Sequence, residues 1–404
     1  MEMIVIFALI QNLSKDIEED IIKIRRKIHS YPELSLKEIN TSRLIVKKLK
    51  EYGINEIYDN IYETTVMAII RGNKPGRTVL LRADMDALPI EELNDLEYKS
   101  KIPGVMHACG HDSHVAWLLG AAYILNKIRD SFTGVIKILF QPAEEDYGGA
   151  DVLLKNYDLL NIAPKVDIAL ACHAWPNLEL GKFGVVDGMA MAASNKFCIK
   201  VIGKGGHGAQ PNNTIDPIAI SVSIYSALQN IISRRVSPFS NCVLTIGNIC
   251  CEGAYNVIPD TVEMEGTIRC ESYGEVVKIM AMAEKIIQGI AASEGGRCEV
   301  KTEKPVHAVI NNKELVYFSQ QVLNQHFNKK IVEILKHGSM TGEDFCYFSE
   351  KVPSLFMYVG TKDEKEGLIY GLHNARFNLA ESIIAKTAEA LSVLTVNYLN
   401  STAN

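Results

Sequence analysis

Short β-type runs alternating with helical stretches constrain this chain more than any other feature. TVMAII (65–70), TVLLRA (78–83), GVIKILF (134–140) and VDIALA (166–171) read as strands, and helical stretches such as VAWLLGAAYILNKI (115–128) separate several of them. Strands alternating with helices argue for a largely parallel α/β sheet. Upstream, LSKDIEEDIIKIRRKIHSYPE predicts a helix capped by Ser14 and stopped at Pro32, with Ile17, Ile21, Ile24 and Ile28 along one face. A second helix is expected near 38–52, ending at Gly53.

Between about 184 and 303 the pattern changes. NKFCIKVIG (195–203), DPIAISVSIYSALQNIIS (216–233), CVLTIGNI (242–249), DTVEMEGTIR (260–269), EVVKIMAMAEKIIQGIAAS (275–293) and RCEVKT (297–302) read in the order β-α-β-β-α-β. That is the split βαβ unit of ferredoxin-like domains. The α/β pattern then resumes with a helix near 313–327, the strand SLFMYVG (354–360) and a C-terminal helix from Leu379. A chain of 404 residues exceeds what one core usually organises. The simplest organisation is an α/β domain at 12–183 and 304–397, interrupted by a small α+β domain at 184–303.

A net charge of −6, spread evenly and without a basic run, makes nucleic acid an unsuitable partner. Nine cysteines, odd in number and irregular in spacing, suit reduced thiols in the cytoplasm. MEMIVIFALIQN is apolar only from Met3 to Ile10, too short to span a membrane, and lacks the basic start and cleavage site of a signal peptide. A packed or frayed N-terminal extension is expected, on a cytoplasmic protein with no membrane partner.

In open α/β sheets, sites form just beyond the carboxyl ends of strands. TVLLRA runs into Asp84-Met85-Asp86, and GVIKILF into QPAEED with Glu144, Glu145 and Asp146. VDIALA ends at Cys172-His173, and SLFMYVG precedes the loop holding His373. GVMHACGHDSH (104–114) gathers His107, Cys109, His111 and His114 ahead of a helix that Asp112 or Ser113 would cap. With parallel strands these segments converge on one sheet edge.

Imidazole, thiolate and carboxylate are the ligands of zinc and other borderline divalent ions, and a catalytic site also keeps a place for water. One glycine separates Cys109 from His111, so both can turn toward one ion. Glu144 and Glu145 are adjacent and point in different directions. One can bind metal while the other faces the bound water, whose pKa falls to about 7. A carboxylate base can take that proton and deliver it to a leaving amine. A thiol hydrolase, with Cys109 as nucleophile and a histidine as base, fits the same residues. GKGGHGAQP (203–211) formally contains G-x-G-x-x-G, but Ala-Gln-Pro follows where a helix should open and no ribose-binding acid comes later. It is a Gly-framed loop presenting His207.

Taken in order over residues 17–395, HSYPELSLKE (29–38), LLRADMDALP (80–89), GVMHACGHDSH, FQPAEE (140–145), ACHAWP (171–176), GKGGHGAQP, AYNVIPD (254–260) and GTIR (266–269) resemble the M20 metallopeptidase and amidohydrolase family. The nearest branch contains N-acyl-amino-acid amidohydrolases, hippurate hydrolase, indole-acetyl-amino-acid hydrolases and N-acetyldiaminopimelate deacetylase. The resemblance implies a zinc-peptidase-like α/β domain with an inserted ferredoxin-like lid, and a homodimer formed through that lid. It implies two divalent ions (zinc, manganese, cobalt or nickel) held by Cys109, His111, Glu145, His173 and His373. Glu144 becomes the general base and Asp86 a carboxylate orienting a ligand from behind.

Many members carry His-x-Asp where this chain has Asp84-Met85-Asp86, and an aspartate at Cys109, so Asp84 is not expected to bind metal. His107 and His114 take structural roles. His207 would stabilise the oxyanion, from the partner subunit in dimeric relatives, while Asn256 and Arg269 would grip the amide and free carboxylate of the substrate. Glu343 and Asp344 in MTGEDF receive no role. The implied activity is metal-dependent hydrolysis of N-acyl amino acids or short peptide analogues. A non-catalytic metal-binding relative would show loss of a ligand or of the base, and neither is lost here.

Overall fold

The computed structural model describes residues 3–59, 61–145, 148–303 and 306–401. Asp146, named above among the acids after a strand, lies outside them. The chain divides into a larger unit, Met1–Ala190 with Ile310–His337 and Tyr347–Asn404, and a smaller one, Met191–Val309 with Gly338–Cys346. No helix among the described residues is long and apolar enough to cross a membrane.

The larger unit is built on eight strands: β1 (Ile57–Tyr58), β2 (Val66–Arg71), β3 (Thr78–Asp84), β4 (Val135–Gln141), β5 (Ile168–Glu179), β6 (Phe183–Val186), β7 (Val332–Leu335) and β8 (Ser354–Lys362). Their order across the sheet is β1-β2-β4-β3-β5-β8-β6-β7. The centre, β4-β3-β5-β8, is parallel. β1 on β2, β2 on β4, and β6 on β8 are antiparallel. The run at 65–70 therefore opposes the central strands, because residues 72–77 are too few for the dozen or so that a parallel crossover needs. Every residue of β3 and β4 is buried, as befits strands covered on both faces.

The sheet is flanked by α1 (Met3–Ser30), α2 (Ile39–Glu51), α3 (His111–Lys127), α4 (Lys313–His326) and α5 (Ser382–Asn400). α1 starts well before Ser14, so that serine caps nothing; its Oγ donates to the Ala385 carbonyl of α5 at 3.0 Å. The physical reason is an apolar stripe longer than the sequence pattern suggested. Ile6 and Ile10 are buried with Ile17, Ile21, Ile24 and Ile28, and burial of that face holds the first turns in helix. α3 is buried almost all round and lies against α1 and α5. Gly120 permits this closeness: a Cβ there would meet Ala388 Cβ at 2.9 Å and Ile21 Cδ1 at 3.0 Å.

In the smaller unit the strands Ala193–Ile202, Cys242–Cys250, Thr261–Cys270 and Arg297–Thr302 form an antiparallel sheet. Its order places Cys242–Cys250 at one edge, then Thr261–Cys270, Ala193–Ile202 and Arg297–Thr302. The helices Pro217–Arg234 and Tyr273–Ser293 pack on it, capped by Asp216 and Ser272. Order and connectivity are those of the split βαβ unit, and burial along Thr261–Cys270 alternates with the side-chain period of two.

The N-terminal turns of α1 are thus part of the core. Ile10→Ala should cost about 2–4 kcal/mol in urea denaturation. A loss below about 1 kcal/mol, the scale of a surface change, would show those turns undocked.

Candidate metal centre

The parallel register decides which side chains meet. Asp84 lies opposite Gln141 in β4, and Arg82 opposite Ala171 in β5. Two residues on, Asp84 is level with His173. The imidazole does not end its strand as expected: β5 runs on to Glu179, and His173 pairs with Tyr358 of β8. β3 stops pairing with β5 at Arg82 while it stays paired with β4 to Asp84, so His173 lies just past the last β3–β5 pair.

From the other side comes the loop ahead of α3. Gly110 takes a left-handed backbone (φ +87°) and stands at the N-cap, so the helix opens directly on His111. A side chain there would be strained, and its Cβ would sit 3.0 Å from Ala174 Cβ. Asp112 and Ser113 fall inside the first turn and do not cap it.

Cys109 Sγ lies 3.4 Å from His173 Nε2. His111 Nε2 is 3.8 Å and His373 Nε2 3.4 Å from Glu145 Oε1. The ligand atoms of Cys109, His111 and Glu145 all fall within 4.8 Å of one another. The structure therefore brings Cys109, His111, Glu145, His173 and His373 together, and Glu144, next to Glu145 in the chain, is buried. His373 has a left-handed backbone (φ +61°), and its N–H is held by the Ala108 carbonyl at 2.8 Å.

Main-chain carbonyls settle two ring tautomers. His111 Nδ1 donates to Asp86 O at 2.9 Å, and His173 Nδ1 donates to Ala174 O at 2.8 Å. When neutral, each ring turns an unprotonated Nε2 toward the centre, the form that binds metal. His111 Nε2 and Glu145 Oε1 are buried without a hydrogen-bond partner among the described residues. Leaving such groups unpaired costs roughly 1–3 kcal/mol each, so two aimed at one point fit a cation. Burial disfavours a charged His111, yet Asp84, Asp86 and Glu145 outweigh it and raise its pKa to about 10. The cage is acidic and matched to positive charge.

Asp84, His111, His114 and His173 form an adjoining cluster, but His114 has no lone pair to give. Its Nε2 accepts from Ala174 N–H at 3.0 Å, and its Nδ1 proton goes to Asp84 Oδ1. The other Asp84 oxygen accepts from Arg82 Nη1 at 2.7 Å. Asp86, fully buried, accepts from Ser35 Oγ at 2.8 Å and from Glu145 N–H at 3.0 Å. His107 is buried with both ring nitrogens unpartnered among the described residues, and burial drives its pKa down to about 3.

Behind His111, Asp112 accepts from Arg25 Nε at 2.7 Å and from His29 Nδ1 at 2.8 Å. His29 Nε2 meets Glu92 Oε1 at 3.1 Å. Both ring nitrogens face carboxylates, so both must carry protons. Arg25, His29 and Glu92 were not singled out in the sequence. The signal for the first two is their position: four residues apart, beside Ile24 and Ile28 on a helix face that is buried.

His207, Asn256 and Arg269 belong to the smaller unit. His207 is exposed, pairs with Val257, and accepts from Ala209 N–H at Nδ1, which leaves the ring proton on Nε2. The carbonyl of exposed Asn256 accepts from Gly208 N–H at 2.8 Å. Arg269 is half-buried and donates to the Met340 carbonyl at 3.1 Å. Glu343 and Asp344 also lie in this unit and are buried.

The family model described as peptidase family M20/M25/M40 matches residues 80–396. A thermostable carboxypeptidase of Saccharolobus solfataricus is 41% identical over 396 residues, which cover 97% of this chain and 98% of that protein. An N-acyl-L-amino acid amidohydrolase of Geobacillus stearothermophilus is 42% identical over 308 residues, 76% of this chain and 81% of that one. Among solved structures, a Bacillus subtilis protein described as a dinuclear metal binding peptidase from the M20 family aligns with a TM-score of 0.82 at 32% identity. That alignment covers 96% of this chain and all of the other.

The Arg25–Asp112–His29–Glu92 network carries a pH signature. Burial opposes protonation of His29, but Asp112 and Glu92 outweigh it, so the folded pKa stands above the usual 6.5. A raised folded pKa stabilises fully below 6.5, and the contribution is lost as pH rises through the folded value. Urea midpoints should fall on the alkaline side in wild type and stay flatter in His29→Gln. Equal slopes would exclude a charged His29.

Proposed function

The chain belongs to peptidase family M20/M25/M40 and is a hydrolase of amide bonds, and we propose that it cleaves the amide joining an acyl group to an α-amino acid with a free carboxylate. An N-acyl amino acid and the last residue of a peptide present that same group. One substrate class thus accommodates relatives named amidohydrolase and carboxypeptidase. The observation that carries the reading is the convergence of unpartnered His111 Nε2 and Glu145 Oε1 beside Cys109, His173 and His373.

These five residues would hold two divalent ions, with Asp86 fixing the His111 ring through its carbonyl and the Glu145 backbone through its carboxylate. The donor set of one thiolate, three imidazoles and a carboxylate suits zinc, and also manganese, cobalt or nickel. Bound ions supply Lewis acidity and a water of pKa about 7. Glu144 takes a proton from the attacking water at its carboxylate and returns it to the leaving amine nitrogen. His207, with its proton on Nε2, donates to the developing oxyanion. Arg269 pairs with the substrate carboxylate and Asn256 with its amide.

Exposed Ile218, Val222 and Tyr225 on one helix of the smaller unit, with Val243 and Ile249 on its edge strand, support a homodimer through that unit. Light scattering that finds only monomer would remove this part of the reading.

A thiol hydrolase draws on one observation, the 3.4 Å approach of Cys109 Sγ to His173 Nε2. Burial, aided by His114, holds His173 well below the usual imidazole range, which makes it a poor base. Chelation decides between the readings. Activity should vanish on metal removal and return with Zn²⁺, Mn²⁺ or Co²⁺, whereas a thiol enzyme would survive. Glu144→Gln should lower turnover about 10²–10⁴-fold with metal retained. Near-normal turnover in that variant would sink the base assignment. Amine release from N-acetyl, N-benzoyl and indole-acetyl amino acids and from dipeptides would locate the acyl preference.

A further inference from the structure

In the segment HSYPELSLKE, Glu33 reaches α2, Ser35 reaches Asp86, and Glu38 reaches the loop bearing Glu144. Glu33 caps α2, accepting from Asn40 N–H at 2.9 Å and Thr41 N–H at 2.9 Å. Ser35 donates to Asp86. Glu38 stands at the N-cap position of α2 but makes no capping bond there. Its carboxylate is fully buried, with Oε2 accepting from Thr64 Oγ1 at 2.7 Å and Oε1 from Ala143 N–H at 3.2 Å.

Ala143 immediately precedes Glu144 and has a left-handed backbone (φ +56°), which costs an alanine energy that its surroundings must offset. The surroundings grip its peptide groups from both sides. Glu38 holds the N–H, and the carbonyl accepts from Gly149 N–H at 3.2 Å. One residue beyond Glu144, Asp86 holds Glu145 N–H at 3.0 Å. The main chain is thus pinned by a buried carboxylate on either side of Glu144.

We infer that Glu38 is a positioning residue for Glu144, acting through the Ala143 peptide. The inference rests on the reading of Glu144 as the base. Stability alone would favour another residue here. Among the described residues no cation pairs with Glu38, and burial raises its pKa to about 7, so its charge is costly where it lies. What the carboxylate supplies is reach: two acceptor atoms that span Thr64 and Ala143.

Reach and charge separate in two conservative variants of the metal-loaded enzyme. Glu38→Asp keeps the charge but is one methylene shorter, and cannot serve both donors. Its kcat should fall about 10–100-fold, with KM within about twofold and metal content unchanged, the scale for a catalytic group displaced by about 1 Å. Glu38→Gln keeps the length, with an amide oxygen to accept from Ala143 N–H and an amide NH2 to donate to Thr64 Oγ1, and should retain kcat within about threefold, since a neutral hydrogen bond suffices. Wild-type kcat in Glu38→Asp, loss of its metal, or an equal fall in Glu38→Gln would each overturn the proposal. Glu144→Gln is measured alongside. If that variant is inactive while Glu38→Asp is normal, only the positioning role fails; if it is active, the base assignment fails first.

Discussion

A carboxylate taken out of water has to be met by positive charge or by hydrogen-bond donors, and that demand ties the larger unit together. Asp84 is met by Arg82 and His114, and Asp86 by Ser35 and the Glu145 amide. Asp112 is met by Arg25 and His29, and Glu92 by His29 and the Ser100 amide. Each acid is answered from a different segment. α1, the stretch at 29–38, β3 and the start of α3 are therefore joined by polar contacts as well as by apolar packing. His111 Nε2 and Glu145 Oε1, both left without a hydrogen bond among the described residues, lie where the segments converge.

Much of this was legible in the chain. Strand positions followed from aliphatic runs, and the split βαβ order of the smaller unit followed from alternation and helical period. What periodicity could not supply was direction and extent. β2 reads like its neighbours but runs against them, because direction depends on connection length and pairing. β5 reads as ending near His173 but continues, because pairing with β8 carries it on. α1 reads as starting at Ser14, since a serine before acids resembles a cap, yet Ile6 and Ile10 extend the buried stripe past it.

The site divides in the same way. Possible ligands crowd the expected strand ends and GVMHACGHDSH, and the resemblance to the family narrowed them to Cys109, His111, Glu145, His173 and His373, with Glu144 as base. Arg25, His29 and Glu38 did not stand out. Their partners lie 87, 83 and 105 residues away, and no local pattern marks a charge that will be buried against a distant one. Glu38 was inside a quoted motif but had no chemistry of its own until the Ala143 backbone was seen. The Asp112 cap failed for a related reason: Arg25 and His29 both draw its Oδ2 toward α1, and Asp112 itself lies inside the first turn, past Gly110 at the N-cap.

Ala174 lies next to His173 and serves two rings with one residue's backbone. Its N–H fixes the lone pair of His114, and its carbonyl fixes the proton of His173. Which nitrogen of each imidazole faces inward is thereby written into the main chain. Both bonds use main-chain atoms, which any residue except proline would supply at position 174. The centre has a fixed polarity that substitutions in its walls do not reset.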